Sequence, residues 1–142
     1  MRLPDVNILV YAHREDAVHH DLSRAWLEAA MGGSETLGLS DVVLSGFVRV
    51  VTHPRVFQTP TPLELALDFV ERLRNSPTSV RVAPGERHWS IFTELCRKAN
   101  AKGNLVPDAW LAALAVESGG EWITTDREFA RFPGLRWKSL LS

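Results

Sequence analysis

The chain has 142 residues, 45% of them hydrophobic and 23% charged, and a formal net charge of −1. That length suits one domain with a sizeable core, and near-neutrality argues against a protein that coats nucleic acid with a broad basic surface, though an enzyme needs only a local cationic rim. The single cysteine, Cys96, excludes an internal disulfide and a cysteine-rich zinc site.

No apolar run approaches the roughly 20 residues that span a bilayer, so no membrane partner is expected. The first residues also lack a basic segment leading into an apolar core, and the expectation is a cytoplasmic protein. No repeat, low-complexity tract or Gly/Ser-rich linker divides the sequence, so residues 1–142 read as one domain.

In chain order, "MRLP" is a short first strand. "PDVNILVYA" (4–12) follows, with Asp5 and Asn7 at the mouth of an apolar run. Carboxylate and amide groups are costly to bury unpaired, so these two either cap a turn or point into a polar site. By its β-branched content alone, "VNILVY" reads as a buried strand. "AVHHDLSRAWLEAAM" spaces Leu22, Ala25, Trp26 and Ala29 as a helix that Gly32-Gly33 ends. "ETLGLS" (35–40) reads as a strand. "TPLELALDFVERLRNSP" reads as a helix with a Thr61-to-Glu64 capping box, Pro62 in the first turn, and Ala66, Phe69, Val70 and Leu73 on one face.

"SVRVA" (79–83) is a further strand, and "ERHWSIFTELCRKAN" is a helix with Trp89, Phe92, Cys96 and Ala99 on its apolar face. "PDAWLAALAVESGG" is apolar nearly all round and reads as a buried central helix. "EWITT" (121–125) and "LRWKSL" (135–140) supply the last strands. Short strands alternating with helices indicate βαβ units and a parallel sheet, whose functional crevice lies beyond the carboxyl ends of the strands.

Three acids fall at such places. Asp5 follows the first strand, Asp108 opens the buried helix, and Asp126 follows "EWITT". Carboxylates converging without lysine partners repel and have raised pKa values unless a cation sits among them, and hard oxygen ligands favour Mg²⁺ or Mn²⁺ over zinc. Each acid also has a plainer reading. Asp108 and Asp126 stand where helices begin, where aspartate caps and meets the macrodipole, and Thr125 to Glu128 has capping-box spacing.

The other reactive side chains read blandly. His19 and His20 diverge on a helix, and His13, His53 and His88 stand alone. Cys96 sits on an apolar face as a small hydrophobe. No GxSxG elbow or phosphate-cradling glycine loop occurs, and the five tryptophans are core by default. A phosphate-transferring hydrolase with an aspartate nucleophile after its first strand would want an acid at residue 7, and Asn7 cannot donate the proton.

"DVNILVYA", far upstream of "VPDAWLAALA" and "WITTDREFARFPGL", together with "LSDVVLSGFVRVVTHPRVF" between them, resembles the PIN-domain family, and within it the toxin ribonucleases (VapC) of VapBC-type toxin–antitoxin pairs. The resemblance implies a three-layer α/β/α fold with a central parallel sheet of five strands, in which "VNILVY" begins a helix. It implies an endoribonuclease that hydrolyses RNA phosphodiesters with Mg²⁺ or Mn²⁺ and leaves a 5′-phosphate. It also implies neutralisation by a cognate VapB-type antitoxin, and a homodimer through apolar helical faces such as residues 60–74.

Carried over by position, Asp5 matches the family's first acid, Asp108 the third and Asp126 the fourth, as catalytic and metal-holding residues. Asn7, Thr125 and Arg127 are expected at the substrate, with Thr124 beside Thr125 in a hydroxyl-rich strand end. Arg14, Arg49, Arg55, Arg131, Lys98 and Lys102 are further candidates to hold RNA. Two departures stand out. Gly46 occupies the place of the family's usual glutamate, which opens the alternative of a PIN-like module that binds RNA or antitoxin without cutting. Pro4 stands where a β-branched residue is usual, and proline removes a ladder donor.

Overall fold

The computed structural model describes residues 1–141. Five short parallel strands form one sheet: β1 (Arg2–Pro4), β2 (Leu37–Leu39), β3 (Ser79–Arg81), β4 (Glu121–Thr124) and β5 (Trp137–Ser139), in the order β3-β2-β1-β4-β5. Six α-helices accompany them: α1 (Val6–His13), α2 (His20–Gly32), α3 (Asp41–Val51), α4 (Leu63–Arg74), α5 (His88–Lys98) and α6 (Leu105–Ser118). A 3₁₀ turn, Arg127–Arg131, links β4 to β5. α1 packs on α2 and α3, α3 on α4, and α5 on α6, giving the three-layer arrangement expected from the resemblance.

The order places a topological switch at the centre. From β1 the chain builds outward through β2 to β3, then returns to lay β4 on the other side of β1 and continues to β5. The switch point therefore lies beyond the ends of β1 and β4, the place where such sheets bind their ligands.

The run "VNILVY" is helical, contrary to its β-branched content. Ile8, Leu9 and Val10 are consecutive and all buried, because α1 is covered on several sides at once. A continuous apolar run cannot distinguish a buried strand from a buried helix. Asp5 starts this helix: its carboxylate accepts from the Val6 amide at 2.7 Å, and its extended backbone turns the chain out of the sheet.

Pro4 is tolerated where it stands. The Arg2 amide donates to Thr36 beside β2, and successive amides alternate sides, so residue 4 would also donate toward β2. The β1–β2 pairing consists of Arg2 opposite Leu37, so the ladder has already ended there. On the other side the Asp5 amide donates to Ile123, keeping β1 and β4 paired up to the crevice.

Three sequence expectations are corrected. Thr61 does not cap α4: its hydroxyl meets His13 Nε2 and Arg14, and α4 starts at Leu63 after Pro62 with no side-chain cap. Trp89 is 64% exposed rather than core. The cap of the 3₁₀ turn is Asp126, which accepts from the Glu128 amide at 2.9 Å, and not Thr125.

α6 has the burial its composition implied. Leu105, Ala109 and the run from Leu111 to Ala115 are buried, and its small side chains let it lie close to the sheet. It closes at Gly119, which adopts the left-handed conformation that glycine reaches without steric cost. The next residue, Gly120, is buried where β1 and β4 come together. A β-carbon there would lie 2.2 Å from Leu3 Cδ1 and 3.2 Å from the Met1 carbonyl oxygen. Gly120→Ala should therefore lower the unfolding free energy by about 1–3 kcal/mol, read as a shifted urea midpoint with an unchanged slope.

Candidate active site

Asp5, the acid at the end of β1, is 6% exposed. A buried carboxylate needs donors, and it has two. Oδ1 accepts from the Val6 amide, and Oδ2 accepts from the Thr124 hydroxyl at 2.7 Å. Thr124, at the end of β4, is fully buried. Having given its proton to Asp5, its oxygen accepts from the Asp126 amide at 3.0 Å. One hydroxyl thus ties the acid after β1 to the turn that carries the acid after β4. Burial pushes the Asp5 pKa up, the two hydrogen bonds pull it back, and the charge of Asp126 raises it further.

Asp108 comes from a third element. α6 begins at Leu105, earlier than the sequence suggested, so Asp108 lies inside the first turn and does not serve as a cap. It is half-buried, and its pKa is pushed up to about 6, first by desolvation and then by the negative charges of Asp126, Asp5 and Glu128. The three acids separated widely in sequence therefore share one electrostatic field, as the topology required. None of them forms an ion pair among the described residues. Nor do any three His, Cys, Asp or Glu side chains there stand in a ready-made metal cage. The cluster is an open set of carboxylates.

Glu128 was not singled out from the sequence except as a capping partner. Its charge acts on Asp108, and Arg131 holds it at 3.3 Å. The signal lay in "TTDREF", where a tight turn after the strand presents successive acids to the same crevice.

The expected substrate residues lie in different settings. Asn7 is exposed in the first turn of α1, Thr125 is half-buried beside Thr124, and Arg127 is exposed on the 3₁₀ turn. Of the other cations, Arg14 is occupied: it bonds Asp16, the Thr59 carbonyl and Thr61, and lies 4.0 Å over the Phe57 ring. Arg131 donates to Glu128 and to the Ala99 carbonyl, and Lys98 pairs with Glu94. Arg49, Arg55 and Lys102 are exposed. Asp41, near Gly46 in sequence, is paired with Arg81 at 2.9 Å and does not replace the missing acid.

The PIN domain family profile matches residues 2–135. The chain belongs to the PIN-domain family. It is 48% identical over 134 residues to ribonuclease VapC43 of Mycobacterium tuberculosis, covering 94% of this chain and 91% of that protein. It is 38% identical over 136 residues to ribonuclease VapC25 of the same organism, covering 96% of each. Among solved structures, VapBC2 from Rickettsia felis, bound to a DNA fragment from its promoter, matches with a TM-score of 0.71 at 19% identity over 97% of both chains. VapBC-1 from nontypeable Haemophilus influenzae matches with the same TM-score at 18% identity, over 99% of this chain and 98% of that one. These two likenesses establish the PIN fold independently of close sequence similarity.

Two outcomes follow from the geometry of this PIN domain. Thr124→Val keeps the shape but removes the donor to buried Asp5, so stability at neutral pH should fall by about 1–3 kcal/mol, read by urea unfolding. Asp108 behaves in the opposite sense. Its folded pKa, about 6, lies above its ordinary 3.8, so the folded state binds the proton more tightly. The stability linked to that proton is fully present below the ordinary value and is lost as pH rises through about 6. Without added metal, Asp108→Asn should therefore be more stable than the parent above pH ~7, on the order of 1 kcal/mol after allowing for solvent screening. That difference should shrink toward zero as the pH is lowered past the ordinary carboxylate range, in melting curves recorded across pH.

Proposed function

We propose that this PIN domain is a divalent-metal-dependent endoribonuclease, the toxin of a type II toxin–antitoxin pair, with Asp5, Asp108 and Asp126 as its catalytic and metal-holding residues. The observation that carries the reading is the unneutralised acid cluster at the β1/β4 switch, in a chain 48% identical to a ribonuclease.

The donor set fits Mg²⁺ or Mn²⁺. Three carboxylates that repel one another gain from a hard cation, and Mg²⁺ favours one or two carboxylates while keeping several waters, so an open set without a closed cage suits it. When bound, such an ion makes water more acidic and offsets charge gathering on the phosphate. The protein's own part is positional. Val6 and Thr124 fix both oxygens of Asp5, and Thr124 sets Asp126 relative to it. Asp108 brings its carboxylate from α6 on a buried, rigid helix. Asn7, Thr125 and Arg127 line the approach for RNA, Arg127 offering a guanidinium to a phosphate beside the acids. The expected product carries a 5′-phosphate.

A cognate VapB-type antitoxin is the expected protein partner, in keeping with the VapBC complexes that share the fold. Leu63, Leu65 and Leu67 stand exposed on α4, in line with the self-association that the family resemblance implies.

The test is RNA cleavage mapped to nucleotide resolution. Purified protein should cut with Mg²⁺ or Mn²⁺, stop with chelator, and lose at least about 100-fold in rate in Asp5→Asn and Asp108→Asn. RNA left intact under every metal condition would favour the binding module that Gly46 suggests.

A further inference from the structure

Gly46 stands where the family resemblance places a glutamate, and a bare position there reads at first as a gap in the metal site. The packing says otherwise. α3 lies against α1, and a β-carbon built on Gly46 would come 3.0 Å from Val6 Cγ2 and 3.8 Å from Cγ1. The first distance is closer than ordinary van der Waals contact. Val6 cannot easily turn aside, because a β-branched side chain at the start of a helix is confined to few χ1 settings. Enlarging residue 46 therefore pushes on the first turn of α1. That turn follows directly from Asp5, so the push falls on the extended Asp5 backbone, whose ψ sets the Val6 amide against the carboxylate.

We propose that Gly46 is a positioning residue for Asp5: the absence of its side chain lets α1 settle against α3 with Asp5 in the extended backbone conformation that sets the Val6 amide against its Oδ1. The inference rests on the nuclease reading for its functional meaning, and on the contact geometry for its substance. A glycine inside a helix costs about 1 kcal/mol relative to alanine, so α3 gives up local stability at this point. The close approach of α1 is what that residue makes possible.

The experiment compares Gly46→Ala, Gly46→Glu, Val6→Ala and the double variant Gly46→Ala/Val6→Ala. It reads Mn²⁺ affinity by electron paramagnetic resonance, melting temperature, and the ¹⁵N–¹H resonance of residue 6. Gly46→Ala should weaken Mn²⁺ binding about tenfold and shift the residue 6 amide, while the melting temperature falls little or rises, since alanine favours the helix. Val6→Ala removes both methyls that residue 46 would meet and keeps the amide. The double variant should therefore recover most of the lost affinity and return the resonance toward its place in Val6→Ala alone. Gly46→Glu should weaken Mn²⁺ binding too.

Parent-like Mn²⁺ affinity with an unmoved amide in Gly46→Ala overturns the proposal. So does tighter Mn²⁺ binding by Gly46→Glu, or a Gly46→Ala defect, in folding or affinity, that Val6→Ala does not relieve. Should the parent bind no Mn²⁺ and leave RNA intact, the nuclease reading fails, and the amide shift and its relief still decide the packing claim.

Discussion

The Asp5 carboxylate is buried at the end of the central strand with a hydrogen bond to each oxygen, one from the first amide of α1 and one from a hydroxyl at the end of β4. An ionised group at that depth is tolerable only while both donors are in place. Those donors come from opposite ends of the sequence, so the charge of Asp5 depends on the whole sheet being assembled in register. Pairing of β1 with β4 brings Thr124 level with Asp5, and the Asp5 amide completes the pairing by donating to Ile123. Fold and site are the same set of contacts at this point. A slip of one residue in β4 would turn Thr124 to the other face and leave the carboxylate with one donor.

Around this anchor the structure holds charge that it does not neutralise. Asp108 feels Asp126, Asp5 and Glu128, in that order, after the cost of its own burial. Ordinary surface acids in this chain are treated differently: Asp16, Glu94 and Asp41 each have a cationic partner within hydrogen-bond reach. The contrast has a physical meaning. Pairing is easily achieved on an exposed helix, whereas the three acids at the switch point have no cationic partner among the described residues and keep their mutual repulsion. The folded protein bears that repulsion as lost stability at neutral pH.

Much of the fold could be read from local pattern, and the limits of that reading are instructive. α6 was legible because "AWLAALAV" is apolar over more turns than any strand could be. α1 was not legible from pattern, because burial on several sides erases the amphipathic stripe by which a helix is recognised; only the resemblance placed it. Thr61 matched a capping box by spacing, but tertiary contacts with His13 and Arg14 took its hydroxyl. Asp5, Asp108 and Asp126 could be picked out as strand-end and helix-start acids, yet their convergence depends on β4 returning beside β1, which no local pattern encodes. The role of Thr124 was the hardest to foresee. "ITTD" offers two hydroxyls, and only the pleat decides that Thr124 faces Asp5.

The lip of the crevice shows how far the acidity is allowed to extend. Asp126 caps the 3₁₀ turn through the Glu128 amide, which spends one of its oxygens on local structure and leaves the other side of the carboxylate for the site. Glu128, brought to the same edge by that turn, is checked by Arg131, whose guanidinium also reaches the Ala99 carbonyl at the end of α5. Arg131 is thereby removed from the list of cations open to RNA and becomes the strut that fixes the turn against α5. Arg127, on the same turn, makes no such bond among the described residues, and it stands next to Asp126. A turn that pins one arginine and leaves its neighbour unpinned keeps an exposed guanidinium beside Asp126 in sequence, with no ion pair to that acid among the described residues. Near-neutral overall charge therefore conceals a local pattern, with acids held without cationic partners at the switch point and an exposed arginine next to them in sequence.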